Sequence, residues 1–166
     1  MTGQEAYQKL TALCARSEHC QQEMLEKMRL WGVSQEEQAE VMARLTKERY
    51  VDDERFARAF IYDKIRYNKW GRRKVEQALW MKRIDEHISQ PILDEVDDEE
   101  YLRILRPMLK QKRKELESKG SCTKNVSPIG GRLAESKLIK FALGRGFTMD
   151  IIKQCIEVDD EDKFLD

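Results

Sequence analysis

Tyr50-Val51-Asp52-Asp53-Glu54-Arg55-Phe56-Ala57-Arg58-Ala59-Phe60 reads as the close of one short helical unit and the capped start of the next. A weaker copy stands at Glu95-Val96-Asp97-Asp98-Glu99-Glu100-Tyr101-Leu102, and a truncated one at Glu157-Val158-Asp159-Asp160-Glu161-Asp162. A phrase that recurs in this way marks internal repeats, and repeats decide the architecture before any single residue does. In each copy an Asp precedes an amphipathic stretch, where its side chain can accept from the unpaired N–H groups of a first helical turn. Helix capping therefore accounts for the acidic triplets without any metal site.

Working outward, the same pattern organises the flanks. Tyr7, Leu10, Leu13 and Cys14 recur at helical spacing, and Ser17 is placed to cap a second helix carrying Met24, Leu25, Met28 and Trp31. Gly32 fits a left-handed helix end, and Ser34 with Glu37 has the spacing of a capping box for a third helix through Val41, Met42 and Leu45. After Asp52, the residues Phe56, Ala57, Ala59, Phe60 and Ile61 form one broad face, extended by Tyr67. A helix from Arg72 to Lys82 uses Val75, Ala78, Leu79 and Trp80, with Trp80 and Tyr67 expected in the core. Asp85 caps a short helix through Ile88, Ile92 and Leu93, with Pro91 inside it or in its first turn.

The third unit opens at Asp97 with Tyr101, Leu102, Leu105, Met108 and Leu109, passes a Gly/Ser/Pro-rich loop at about 119–131, and resumes around Arg132 with Leu133, Leu138 and Ala142. Thr148 then caps a helix with Ile151, Ile152, Cys155 and Ile156. Gly32-Val33, Arg83-Ile84 and Gly146-Phe147 take the same place in the three units, and Ser34, Asp85 and Thr148 follow them as caps. Met24, Val75 and Leu138 share one core position, and Met28, Leu79 and Ala142 another. No segment alternates as a strand. The expected fold is all-α, an elongated, curved array of three tandem three-helix repeats at 1–50, 51–96 and 97–158, with an acidic C-terminal tail at 159–166.

Charge is distributed in blocks. The chain is formally neutral, yet residues 1–54 carry −4, 55–83 carry +8, 84–102 carry −8, 103–149 carry +9 and 150–166 carry −5. Two basic blocks around an acidic one point to a polyanion or an acidic protein partner. Arg55, Arg58, Arg66 and Lys69 fall together with Tyr62 within an arc of roughly 80° on one helix, opposite its apolar face. Arg72, Arg73 and Lys74 continue that surface at a helix N-terminus, where positive side chains oppose the helix dipole. This basic face is either a solvated helix surface or a contact site, and the scarcity of acids around it favours contact. Tyr62, Tyr67, Trp70 and Trp80 interleave with the cations and could stack on bases. Lys110, Lys112, Arg113 and Lys114 are a second contact strip or a solvated face.

Other chemistry is sparse. Four scattered cysteines and two histidines lack zinc spacing, so the cysteines are read as buried or reduced thiols and no metal or cofactor is expected. No Gly-rich phosphate loop or nucleophile–base pair stands out, and no catalytic role is assigned. No apolar run approaches the roughly 18 residues that span a bilayer, and the N-terminal residues lack a secretory pattern, so the expectation is a cytoplasmic monomer.

Tyr50-Val51-Asp52-Asp53-Glu54-Arg55-Phe56-Ala57-Arg58 resembles the signature of the bacterial RecX regulatory proteins. The likeness continues through Trp70-Gly71-Arg72-Arg73-Lys74-Val75, Leu79, Lys82-Arg83-Ile84 and Arg145-Gly146-Phe147, nearly the whole chain. Three tandem three-helix repeats are that family's architecture. The resemblance implies a modulator of the RecA recombinase, usually an inhibitor. Such a protein lodges in the groove of the RecA filament on single-stranded DNA, bridges neighbouring protomers, and blocks filament growth, strand exchange and co-protease activity. Arg83 stands where the family has glycine, so a different turn is expected there. DNA, single- or double-stranded, would be bound weakly without the filament. The alternative from another class is a stand-alone DNA-binding module built from helix-turn-helix-like units.

Overall fold

Each described element of the chain is a helix, for the reason the periodicity suggests: apolar residues recur every three to four positions, and several helix starts carry side-chain caps. The computed structural model describes residues 1–118 and 128–164. The helices are α1 (Gly3–Arg16), α2 (Gln21–Leu30), α3 (Gln35–Lys47), α4 (Asp53–Arg66), α5 (Arg72–Met81), α6 (Glu86–Glu95), α7 (Asp98–Ser118), α8 (Pro128–Gly144) and α9 (Met149–Phe164). The fold is all-α, and the described residues contain no strand. Residues 119–127 of the expected loop lie outside the described residues. Its remainder is helical, because α8 starts at Pro128, a first-turn position where the missing proline N–H has no helical partner to lose. The backbone of α9 likewise continues through 159–164, a stretch without Gly or Pro, where a tail was expected.

The turns repeat a single hydrogen-bond device. At the end of α2, the Val33 N–H donates to the Met28 carbonyl at 3.0 Å and the Gly32 N–H to Arg29 at 3.1 Å, with Gly32 at φ +72°. This is a Schellman motif, which satisfies two of the carbonyls a helix end leaves open. It recurs after α5, with Ile84 to Leu79 at 3.1 Å and Arg83 to Trp80 at 2.9 Å, and after α8, with Phe147 to Ala142 at 3.1 Å and Gly146 to Leu143 at 2.9 Å. A fourth copy ends α3, with Tyr50 to Leu45 at 2.9 Å and Arg49 to Thr46 at 3.1 Å. Arg83 therefore does not change its turn: it adopts the glycine conformation, φ +56°, at a backbone cost of about 1–2 kcal/mol. Val33, Ile84 and Phe147 follow the left-handed residue, and all three are buried.

Helix starts are capped partly as expected. Asp52 Oδ1 accepts from the N–H groups of Glu54 and Arg55 at 3.0 and 3.1 Å. Ser34 Oγ accepts from Glu37 at 3.2 Å, and Asp85 Oδ1 from His87 at 2.9 Å. Thr2 and Glu5 form a full capping box on α1. Ser17 does not cap α2. It is the extended residue that ends α1, and α2 starts four residues later behind Cys20. The Cys20 N–H donates to Glu23, and the Gln21 N–H donates to Asp53 Oδ1 at 2.9 Å. One Asp of the opening phrase thus caps its own helix while its neighbour caps another.

The chain divides into two compact units, residues 1–62 with 77–94 and residues 63–76 with 95–166. Both α4 and α5 pass from one unit to the other, so these two helices are shared. In the first unit Ala6, Leu10, Met24, Met28, Val33, Val41, Leu45 and Val51 form a continuous core. In the second, α7 packs on α8 and α9, burying Tyr101, Leu105, Leu138, Ala142, Phe147 and Ile152. The six aligned core positions (Met24, Val75, Leu138; Met28, Leu79, Ala142) are all buried. Trp80 and Tyr67 are not: they are 70% and 80% exposed. On α5 the buried positions are Val75 and Leu79, four apart, and Trp80 lies about 100° round from Leu79. Tyr67 falls just beyond the end of α4, and Ala59 also faces solvent, while Ala57, Ile61 and Ile65 carry the inward stripe.

Arg83→Gly relieves the left-handed strain and is expected to stabilise the protein by about 1 kcal/mol in urea unfolding. Burial pushes the Asp53 carboxyl above its usual range despite the Gln21 N–H. Asp53→Asn, which keeps the acceptor without the charge, is expected to stay within about 0.5 kcal/mol of wild type at neutral pH. Asp53→Ala should lose about 1 kcal/mol.

Candidate functional site

The second unit is held at one point by backbone alone. The Gly71 N–H donates to the Arg145 carbonyl at 2.9 Å, and the Arg73 N–H donates to the Gly146 carbonyl at 2.9 Å. The turn before α5 and the turn after α8 are thereby joined main chain to main chain. A Cβ on Gly71 would lie 2.3 Å from the Phe147 nitrogen, and one on Gly146 would lie 2.4 Å from the Lys74 Cβ. Both positions require glycine for space, and Gly146 also for its φ of +93°. This clasp carries Lys69 and Trp70 on one side of Gly71, and Arg72, Arg73 and Lys74 on the other, up to Arg145.

The expected contact residues divide between the units. In the first, Arg55 is built into the fold: its guanidinium donates to Glu18 Oε1 at 2.7 Å and to the carbonyls of Arg49 and Tyr50 at 3.0 and 3.3 Å. It ties down the turn into α4. Arg58 is paired loosely with Glu54 one turn back, at 4.0 Å. In the second unit Arg66 donates to Glu100 at 3.0 Å, and that hydrogen bond holds the Glu100 carboxyl below its usual range. Arg72 pairs with Glu76 at 2.8 Å. Lys74 lies 4.8 Å and Lys64 5.4 Å from the Trp70 ring centre. The cations at the start of α5 thus have local partners despite the dipole, except Arg73, which is exposed and has no ion pair among the described residues.

Lys69 follows α4 in the left-handed conformation, φ +59°. It lines a groove of about 420 Å³ together with Arg103, Ile104, Pro107, Met108, Gln111, Lys112, Glu115, Phe141 and Arg145. Lys112 and Arg145 sit over the Phe141 ring at 5.2 and 5.5 Å. Lys112 also reaches Glu115 at 3.9 Å. Of the strip on α7, only Lys112 enters the groove; Lys110 and Lys114 are exposed outside its lining, and Arg113 is half-buried. Arg103 and Arg145 were not singled out by charge pattern. A signal for Arg103 exists in helical periodicity: the ladder Arg103, Pro107, Gln111 runs beside Ile104, Met108, Lys112, so Arg103 borders the apolar pair Ile104 and Met108 on α7. Among the described residues no group of three His, Cys, Asp or Glu could hold a metal ion. None of the described helices is long and apolar enough to cross a membrane.

Residues 52–90, which include the cap phrase and the α5 turn, match the family model described as RecX, second three-helix domain. The chain is 28% identical to Regulatory protein RecX of Acinetobacter baylyi over 145 residues, which cover 87% of this chain and 82% of that one. The protein of the same name from Vibrio campbellii is 26% identical over 153 residues, 90% of this chain and 88% of its own. Over most of its length the chain is similar to the RecX regulatory proteins. The crystal structure of RecX from Lactobacillus salivarius has the same fold, with a TM-score of 0.81 at 17% identity over 95% of this chain and 96% of that one. The relatives are regulatory proteins by name. In this chain the glycine clasp joins a turn within the matched segment to one well outside it.

Breaking the clasp should be costly in a way that glycine conformation alone is not. Gly71→Ala is expected to destabilise by about 3 kcal/mol or more, through overpacking against backbone. Gly32→Ala, with open space around it, should cost only about 1–2 kcal/mol. Thermal or urea unfolding distinguishes them. Arg66→Ala should raise the Glu100 carboxyl back towards its ordinary value in an NMR titration. Because Glu100 is depressed when folded, the pair stabilises above the unfolded value of about 4.3. That contribution fades as pH falls through the lower folded value.

Proposed function

We propose that this RecX-family regulator binds the RecA filament and inhibits its recombinase, ATPase and co-protease activities, thereby limiting recombination and the SOS response. The observation that carries the reading is the convergence, in the second unit, of cations from two distant basic blocks. Lys69, Arg73 and Lys74 come from the first block; Arg103, Lys112 and Arg145 come from the second. The glycine clasp fixes the first group relative to Arg145. Such a surface suits an acidic filament face and nearby phosphates, where complementary charge sets association rate and register. Arg55 contributes by shaping its turn, and Arg58 lies on the first unit as a peripheral contact. The protein acts in the cytoplasm as a monomer, and DNA without the filament is a weak partner.

The test is a titration of DNA-dependent RecA ATP hydrolysis, with filament length measured in parallel. Wild-type protein should suppress both near stoichiometric ratio. Substituting Arg72, Arg73 and Lys74 together by alanine should raise the half-inhibitory concentration about tenfold, which corresponds to about 1.4 kcal/mol. Unchanged hydrolysis and filament length with the wild-type protein would sink the proposal. Tight, salt-sensitive DNA binding without RecA would favour the stand-alone module instead.

A further inference from the structure

We infer that the groove on the second unit binds an acidic peptide segment that carries one bulky apolar side chain. Its rim holds four cations, Lys69, Arg103, Lys112 and Arg145, against one acid, Glu115. Lys69 has no ion pair among the described residues. The Lys112–Glu115 contact, at 3.9 Å with both side chains substantially exposed, is weak enough for an incoming carboxylate to compete with. The rim therefore carries more positive charge than its own acid offsets.

The floor sets the rest of the ligand. Ile104, Pro107 and Met108 offer an apolar surface on α7, and Phe141 closes the opposite side from α8. About 420 Å³ lies within the range of sites that take a small organic group, and an apolar lining with a few placed charges is their usual composition. Carboxylates flanking a Phe, Leu or Met side chain satisfy both features at once. A polynucleotide fits less well. Base stacking needs an open aromatic face, and the Phe141 ring already has Lys112 and Arg145 over it. The remaining floor is aliphatic, and Glu115 interrupts the track a phosphate backbone would follow.

The inference rests on the reading above only for where such a segment is found, namely on the filament; the assay that tests it contains no recombinase, so the two can fail separately. The probe is a short fluorescent peptide of Asp and Glu around a single central Phe, followed by anisotropy with the full chain. The controls are the same peptide with Gly in place of Phe, and a labelled oligothymidylate. The Phe peptide should bind saturably, and the Gly peptide about tenfold or more weaker. Arg103→Glu and Met108→Asp should each weaken the Phe peptide about tenfold. Lys110→Glu, the same charge change outside the groove, should do far less, and Met108→Asp should leave oligothymidylate binding as it was. Circular dichroism checks that the variants fold, and the exposed Arg103 decides the matter if Met108→Asp does not. Equal affinity for the two peptides, absence of saturable binding, or oligothymidylate that displaces the peptide and is lost with Met108→Asp would each overturn the inference.

Discussion

Two amide hydrogen bonds, Gly71 to Arg145 and Arg73 to Gly146, join turns that lie far apart in sequence, and the placement of the basic surface follows from them. Side chains can shift by rotation, but backbone held this closely cannot, because either glycine's missing Cβ would collide with main chain or with a fixed Cβ. The backbone on each side of Gly71 is therefore fixed by main-chain geometry, whatever contacts its side chains add. That matters for cations, whose long side chains lose much rotational freedom when they are ordered. A surface meant to recognise a charged partner is better served by a fixed backbone than by side-chain pairs, and here Lys69 and Arg73 are left without ion pairs among the described residues.

The same logic runs through the helix ends. Schellman turns after α2, α5 and α8 reverse the chain in the same way, and each places a buried apolar residue directly after the left-handed one. Two of the three use glycine, and the third accepts an arginine at φ +56°. Turn geometry is thus kept where residue identity is not, because the carbonyls at a helix end need the bond whichever side chain stands there. Asp52 and Asp53 show the complementary economy at helix starts. Adjacent in sequence and alike in chemistry, they satisfy N–H groups on different helices.

Local chemistry made much of this legible from the residues alone. The aligned core positions are all buried, since 3.6-residue periodicity specifies a face whatever the tertiary context. The caps at Ser34, Asp52 and Asp85 and the left-handed Gly32 were equally readable, because their donors and acceptors lie within a few residues. What could not be read depends on distant partners. Trp80 and Tyr67 were expected inside because they are aromatic, yet their angular positions face solvent. Asp53 caps a helix 32 residues earlier, which no local rule reaches. Arg145 joins Lys69 only because one glycine turn rests on another. Arg55 looked like the start of a contact face, but a guanidinium next to two open carbonyls and Glu18 has stronger local bonds to make.

The sharing of α4 and α5 between the two compact units has a consequence for synthesis. A chain emerging from the ribosome folds from its N-terminal side as the required residues become available. Every residue of the first unit has been made once Asp94 is joined. Gly71, made earlier, belongs to the other unit and has no counterpart until Phe147 follows. Residues 63–76 must therefore wait, flanked on both sides by chain that can already pack, and the basic turn they carry is the last part of the early sequence to acquire its native neighbours. Until the chain has been extended to Phe147, its first core stands without the surface that we assign to recognition.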